Sequence, residues 1–341
     1  MGLMAKVLSL FDGISCGMVA FERAGIYVSE YHACEIDKYA IKISQANYSD
    51  IIRHGSVVDY HPDRSFDYVI GGSPCQGFSF AGKQLAFDDP RSSLFFEYVR
   101  ILKACREINP DIKFLLENVK MKKEHLAVIT DILGVQPVLI NSALISAQNR
   151  QRYYWCNWPV SQPADRGFLL RDIIEHGAVD REKSLCVTSR VAGATQKRYL
   201  KKNHHQMVIK VCNVNPSGNG MNGWVYSTDG KAPTVTTNKG EGTKITGGAI
   251  RGRYEPDGTI SQRLEINGLE KANAITTVGK DSVLVTDSIT CRKLTPIECE
   301  RLQTLPDNYT AAVSNSQRYK ALGNGWTVDV IAHILSESIN G

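Results

Sequence analysis

Apolar positions in the first half of the chain fall in short runs: Val7–Leu10, Tyr31–Cys34, Tyr68–Ile70, Phe114–Leu116, Val138–Ile140 and Tyr153–Trp155. Brief apolar runs bounded by polar residues predict strands buried on both faces. Between them lie longer stretches with apolar positions at helical spacing, near Gly17–Arg23, Asp37–Asn47, Ser93–Ile108 and Lys122–Leu133. Asp37 suits the N-cap of the second, and Ser92 or Ser93 that of the third, because their side chains can accept from free first-turn amides. Strands alternating with helices predict an α/β fold, a doubly wound and mostly parallel sheet with helices on both faces.

From residue 179 the pattern changes to short runs of Val, Ile and Thr separated by Gly, Asn and Asp. A weak repeat runs through it: Lys183–Ser189, Lys231–Thr237 and Lys271–Thr277, each reading as a small strand entering a turn. Their spacing is too uneven for a solenoid. A helix is predicted again over Thr295–Leu302, with Thr295 as cap, Pro296 at the first position and Glu298 completing a capping box. An apolar helix over Val328–Leu335 should pack back on the first part. The expected division is therefore a domain of residues 1–178 with 315–341, a smaller and mostly β domain of 179–290, and a connecting segment of 291–314.

Composition sharpens that division. The chain of 341 residues carries a net charge of +5. Residues 181–290 hold 16 Lys/Arg against 9 Asp/Glu, a net of +7, and 13 of the 28 glycines, so the remainder is close to neutral. A basic, loop-rich segment beside a neutral one points to a surface that faces a polyanion. No apolar run is long enough to span a membrane, and the first residues lack the apolar core and cleavage site of a secretory signal. The nine cysteines include no CxxC pair, which fits a reducing cytoplasm and supports neither a metal site nor a disulfide framework.

The candidate chemistry lies at the ends of the predicted strands. Apart from Phe78, the stretch Gly71–Ser79 consists of Gly, Ser, Pro, Gln and Cys, a loop composition that sets Cys75 just beyond a buried strand. There it reads as a nucleophile, against the alternative of a small buried hydrophobe. The turn Leu8–Gly17 between the first strand and first helix lets backbone amides approach a ligand, and Glu35, 22 residues beyond Gly13, is placed to accept from ribose hydroxyls. Glu117 ends the strand Lys113–Leu116, where a partly desolvated carboxyl can donate a proton. Arg150 and Arg152, alternate residues ahead of the strand Tyr153–Trp155, would project to one side to bind a base carbonyl or phosphate. Each has an ordinary reading as a surface carboxylate or salt-bridge residue; their joint placement favours function.

Six blocks in order resemble the C5-cytosine DNA methyltransferases, the bacterial or phage type: Phe11–Gly17, Gly72–Ser79, Glu117–Val119, Gln148–Arg152, Arg292–Gln303 and Gly323–Trp326. The resemblance implies a Rossmann-like S-adenosylmethionine-dependent catalytic domain with a separate target-recognition domain. It implies that Cys75 adds to C6 of a flipped cytosine, that Glu117 bonds N3 and the exocyclic amine, and that Arg152, supported by Arg150, holds O2. Phe11, Asp12, Gly13, Ile14, Ser15, Glu35, Ile36, Ser56, Pro74, Asn324 and Trp326 would bind S-adenosylmethionine. Gln76, Ser79 and Thr276 would contact double-stranded DNA. The same resemblance implies a monomeric enzyme of the cytoplasm of a bacterial or phage-infected cell, with a cognate restriction endonuclease as a candidate partner.

One departure is local: the family's usual aspartate at the adenine amine is replaced by Ser56, within Gly55–Val57, unless Asp59 or a neighbouring acid compensates. A hydroxyl accepts less strongly than a carboxylate. Three rival readings stand. The RNA-methylating branch carries a Cys-Phe-Thr signature that Cys186-Val-Thr188 echoes only in part. A non-catalytic nucleic-acid-binding regulator would have no need of Cys75, Glu117 and Arg152 together. An unrelated cysteine hydrolase would need a base beside Cys75, and no histidine pairs with it by sequence.

Overall fold

The computed structural model describes residues 4–74, 93–175, 179, 182–195, 206–210, 247–254, 260–266, 282–284 and 290–339. The elements of the first part are β1 (Met4–Leu10), α1 (Cys16–Arg23), β2 (Tyr27–Cys34), α2 (Lys38–Asn47), β3 (Ile52–Gly55), β4 (Tyr68–Gly71), α3 (Ser93–Ile108), β5 (Lys113–Val119), α4 (Lys123–Leu133), β6 (Val138–Asn141), β7 (Gln151–Cys156) and the single turn α5 (Leu170–Ile173). They build one seven-stranded sheet in the order β3-β2-β1-β4-β5-β7-β6. The first five of these are parallel, whereas β7 runs antiparallel to both β5 and β6. The mostly parallel α/β sheet expected from the apolar runs is thus present.

Strand periodicity splits the core between the two faces. On one face Tyr68, Ile70 and Leu115 pack with Phe21 of α1. On the other Leu8, Leu10, Val69, Phe114 and Leu116 pack with Phe95, Tyr98, Ile101 and Leu102 of α3 and with Ile129 and Leu133 of α4. Each such fully buried side chain contributes about 1.5–3 kcal/mol. Asp37 caps α2 as read, accepting from Tyr39 N at 2.9 Å and Ala40 N at 3.3 Å.

The C-terminal part returns to this sheet through α6 (Pro296–Leu302), α7 (Asn315–Asn324) and α8 (Val328–Glu337). The capping box of α6 is formed: Thr295 Oγ1 accepts from Glu298 N at 3.1 Å, and Glu298 Oε2 accepts from Thr295 N at 2.7 Å. Ile331, Ile334 and Leu335 of α8 join the α1 face of the core. Trp158 Nε1 donates to the Ile334 carbonyl at 2.9 Å, and the Tyr68 and Ser338 hydroxyls meet at 2.8 Å. The chain's last apolar helix is therefore packed against α1 and tied to β4.

The pattern reading missed the single turn α5 and two further elements. β3 is short and polar, held as an edge strand by its ladder to β2. α7 carries few apolar residues, but its Arg318, Tyr319 and Leu322 are buried. Of the basic segment, β8 (Met207–Lys210) pairs antiparallel with β12 (Thr290–Lys293), and β9 (Gly247–Tyr254) pairs antiparallel with β10 (Ile260–Ile266) and β11 (Ser282–Leu284). The repeats at 231–237 and 271–277 lie outside the described residues. In the first repeat Ser184 bridges to Gln148, and the chain then turns at Ser189 and Arg190. Among the described residues no helix is long and apolar enough to cross a membrane, and no group of three His, Cys, Asp or Glu could hold a metal ion.

Candidate active site

The strand order reverses between β1 and β4, and the loops leaving their C-terminal ends diverge there, the usual place for a ligand in an open α/β sheet. After β1, Phe11, Gly13 and Ser15 all adopt left-handed backbone conformations, with φ of 57°, 62° and 59°. For Phe11 and Ser15 this costs of the order of 1–3 kcal/mol each, so surrounding bonds must impose it. They do. Asp12 N donates to the Cys34 carbonyl at 3.1 Å. The Asp12 carboxylate accepts from Tyr31 Oη at 2.8 Å and from Ser15 Oγ at 2.5 Å. Burial pushes the Asp12 carboxyl above its usual range, and bonds from Ser15, Ser9 and Tyr31 with the Arg53 charge offset this only in part.

Glu35, just beyond β2, clamps this turn from the other side. Its Oε2 accepts from Gly13 N at 2.8 Å, and its Oε1 from Ile36 N at 2.8 Å and Asp37 N at 2.7 Å. Beyond β3, Ser56 Oγ accepts from Val58 N at 3.1 Å, which leaves the hydroxyl proton free. Beyond β4 the chain passes Gly72, where a Cβ would lie 3.0 Å from both Glu117 Oε2 and Trp326 Nε1. A side chain there would press on both, so glycine lets Glu117 and Trp326 approach the backbone closely.

Glu117 lies within β5, not beyond its end. The ladder with β7 pairs Leu115–Val119 with Arg152–Cys156 and so carries the strand two residues past Glu117. Arg152 stands opposite Val119, which brings its side chain diagonally across from Glu117 on the same face. The two form an ion pair, Arg152 Nε to Glu117 Oε1 at 2.9 Å, with side chains 15% and 12% exposed. Arg150 is buried and donates to the Val187 carbonyl at 3.1 Å, Cys186 Sγ at 3.3 Å and the Gly325 carbonyl at 2.9 Å.

The blocks around the arginines are structural supports. Gln148 donates to the Leu302 carbonyl at 3.1 Å and to Gln303 Oε1 at 3.2 Å, while its own Oε1 accepts from Val187 N at 2.7 Å. Gln303 in turn donates to the Leu322 carbonyl at 2.6 Å. At the end of α7, a Cβ on Gly323 would lie 2.0 Å from Ser189 N, so glycine alone permits this crossing of backbones.

These segments enclose one cavity of about 390 Å³, within the roughly 300–1,000 Å³ span of ligand pockets. Phe11, Gly13, Ile14, Glu35, Ile36, Ser56, Pro74, Glu117, Arg150, Arg152 and Asn324 all line it. Asp12 and Ser15 do not: their side chains turn inward, where satisfying the buried turn outweighs exposure to the cavity. Trp326 stands behind Gly72 and outside the lining. Cys75, Gln76, Ser79 and Thr276 lie outside the described residues. Asp37, Tyr39, Leu94, Gln317 and Lys320 also line the cavity and were missed. Lys320 of α7 pairs with Asp37 at 2.6 Å, a contact that no local pattern announces. Asp59, considered as a substitute acid, is not among the lining residues.

Buried thiols nearby are poor nucleophiles. Burial pushes Cys16 and Cys34 up to about 12, so both stay protonated near neutrality.

The family sequence model for C-5 cytosine-specific DNA methylase matches residues 5–340. This chain belongs to the C-5 cytosine-specific DNA methylases. It is 31% identical to the orphan methyltransferase M.SPRI of Bacillus phage SPR over 98% of this chain and 97% of that protein. It is 26% identical to the type II methyltransferase M.HhaI of Haemophilus parahaemolyticus, covering 96% and 92% of the two chains. The methyltransferase EhMeth of Entamoeba histolytica shares the fold, with a TM-score of 0.60, 14% identity, and coverage of 100% and 98%. As a C-5 cytosine-specific DNA methylase the chain is a transferase that acts on DNA and takes its methyl group from S-adenosylmethionine. The cavity suits that cofactor. It offers an aromatic ring at Phe11, a carboxylate at Glu35 and a hydroxyl at Ser56.

Proposed function

We propose that this enzyme methylates C5 of a cytosine flipped out of a specific duplex sequence, through a covalent bond between Cys75 and C6. The supporting observation is the Glu117–Arg152 ion pair, which shares one cavity with the Phe11–Ser15 turn and Glu35. A cytosine stacked inside a duplex is out of reach of such a cavity, so the base would leave the helix. Cys75, as thiolate, adds to C6, and the electron pair passes into the ring. Glu117 hydrogen-bonds N3 and the exocyclic amine, and Arg152 the O2 carbonyl, so that charge developing on the ring meets fixed partners. Arg150 would support Arg152.

Phe11, Gly13, Ile14, Glu35, Ile36, Ser56, Pro74 and Asn324 would hold S-adenosylmethionine, with Asp12, Ser15 and Trp326 shaping the turn and wall around it. When bound, S-adenosylmethionine supplies an electrophilic methyl group. Loss of the C5 proton then expels the Cys75 thiolate. Residues 179–290 would form the target-recognition domain, joined through 291–314 to a catalytic domain of 1–178 with 315–341; within these, Gln76, Ser79 and Thr276 would touch DNA. Its basic charge would supply affinity and a few loop side chains the sequence choice. We read the enzyme as a monomer of the cytoplasm, with a restriction endonuclease of matching specificity as its candidate partner.

Duplexes carrying the motif found by methylation sequencing, with 5-fluorocytosine at the target, test the covalent step. Fluorine cannot depart as a proton does, so a denaturant-resistant complex should accumulate when cofactor is present. Absence of that complex on a site otherwise methylated refutes the covalent route.

A further inference from the structure

The pair of arginines at the base-binding end of the cavity carries more positive charge than its one acidic partner can balance. Among the described residues Glu117 is the one carboxylate paired there, and it pairs with Arg152. The other carboxylates of the cavity lining, Glu35 and Asp37, are bound to Gly13, Ile36, Asp37, Tyr39 and Ala40 amides and to Lys320. Arg150 is 4% exposed and always charged. Of its three contacts, the carbonyls of Val187 and Gly325 are neutral. The third is Cys186 Sγ, 3.3 Å from Nη1. A buried cation held only by neutral acceptors is costly unless an anion stands near.

We propose that Cys186 is a positioning residue of the active site, a thiolate counter-ion that holds Arg150 and Arg152 in register for the target base. This rests on the assignment of Arg152 to the base carbonyl made above. The geometry sets Sγ 3.3 Å from Arg150 Nη1, where an anion would meet the buried charge directly. As a thiol, Cys186 accepts only weakly from Arg150 and donates to the Val187 carbonyl, at 3.5 Å, beside the Arg150 bond to the same oxygen at 3.1 Å. As a thiolate it accepts the Arg150 N–H in a charge-assisted bond.

The contrast with other cysteines is sharp. Cys16, Cys34 and Cys105 are pushed up to about 12 by burial, and Cys156 to about 11. Burial acts upward on Cys186 too, but the charges and hydrogen bonds of Arg150 and Arg152 outweigh it and bring the thiol below its usual value. Among the described residues, the charged or titratable groups facing this cluster are Arg150 and Arg152 before and within β7, Glu117 of β5 and Tyr154 of β7. The backbone at Gly325, just past α7, reaches it as well.

The role follows from the charge count. With Cys186 ionised, Arg150 has its own anion and Glu117 is left to Arg152 and the base. With Cys186 neutral, two guanidinium groups compete for Glu117, and Arg152 is drawn away from the position that meets O2. Misplacement of a positioning group by an ångström or less is enough to lower a rate by about 10-fold to 100-fold.

The test compares the full-length enzyme with Cys186→Ser and Cys186→Thr, neutral side chains that keep a small polar group. First, ultraviolet thiolate absorbance is titrated in each protein without DNA. The wild type should show one more thiolate at neutral pH than either variant. Second, single-turnover methylation of duplex DNA carrying the recognised motif is followed against pH. Both variants should bind S-adenosylhomocysteine as the wild type does, within about twofold, and bind the duplex similarly, yet transfer methyl about 10-fold or more slowly near neutrality. They should also lose the acid-side limb of the profile that the Cys186 titration creates. Equal thiolate counts overturn the proposal, as do unchanged rates and profiles in both variants. A variant that loses cofactor binding along with rate marks Cys186 as a packing residue and overturns it as well. Wild-type activity that survives loss of Glu117 or Cys75 would instead refute the parent mechanism, and the thiolate count would still stand by itself.

Discussion

The wall made by Phe11–Ser15, Glu35 and Ser56 is built from segments that leave three neighbouring strands, β1, β2 and β3. The wall made by Glu117, Arg150 and Arg152 is built across the antiparallel pair β5 and β7. The first relies on backbone: left-handed turns and amides that converge on Glu35. The second relies on side chains: one ion pair and a buried guanidinium that reaches two other segments, at Cys186–Val187 and Gly325. A ligand of fixed shape suits preformed backbone. In the proposed reaction the base would arrive from a duplex and change charge as it reacts, which calls for ionised side chains that can answer it. The walls should therefore fail differently, one in affinity and the other in rate.

The largest effect is expected on the rate side. Cys75→Ser should lower single-turnover methyl transfer by about 10³-fold or more, because the hydroxyl is not ionised near neutral pH, while gel-shift binding of duplex DNA persists. Near-normal turnover would break the assignment. Glu117→Gln comes next: it keeps the shape but removes the acidic proton, and the rate should fall by about 10²–10⁴-fold with cofactor affinity kept. A loss of cofactor binding of equal size would merge the two walls into one.

On the affinity side, Glu35→Ala releases three backbone amides and any ribose contact. Its S-adenosylhomocysteine dissociation constant, read by calorimetry, should rise by about 10-fold to 100-fold, with the rate at saturating cofactor changed far less. Gly323→Ala tests the junction behind both walls. A Cβ there meets backbone, so thermal unfolding should show a loss of about 1–3 kcal/mol. An unchanged melting temperature would mean that the turn at Ser189 yields freely. The smallest effect is expected from Ser56→Asp, which adds a stronger acceptor and should tighten cofactor binding by about 3-fold to 10-fold. Weaker binding would mean that Ser56 acts as a donor, through the proton that its bond with Val58 leaves free.

Much of this was legible in the residues themselves. The strands around Val7–Leu10, Tyr68–Ile70 and Phe114–Leu116, the Asp37 cap and the Thr295 capping box depend on neighbours within a few positions, and local chemistry is enough to find them. The same holds for the turn after β1, where glycines and small polar residues crowd between a strand and a helix. The ordered blocks likewise pointed to the family that the whole-chain comparison identifies.

Other features were decided only when distant segments met. Asp12 and Ser15 look like ligand contacts in a row of residues, but Tyr31 donates to Asp12 from β2 and Ser15 donates to the same carboxylate, so both side chains turn inward. Glu117 reads as a strand end until the antiparallel ladder of β7 extends the strand beyond it. α7 is too polar to be found by its pattern and exists because Arg318, Tyr319 and Leu322 are buried against other parts of the chain. Cys186 stands out in sequence only through Cys186-Val-Thr188, and its charged surroundings come from two arginines that lie more than thirty positions earlier. By itself the sequence determined what local propensity and residue chemistry can determine: element types, caps and the family's reactive groups. Burial, charge balance and the pairing of side chains across strands are properties of neighbours in space, so only the tertiary structure could decide them.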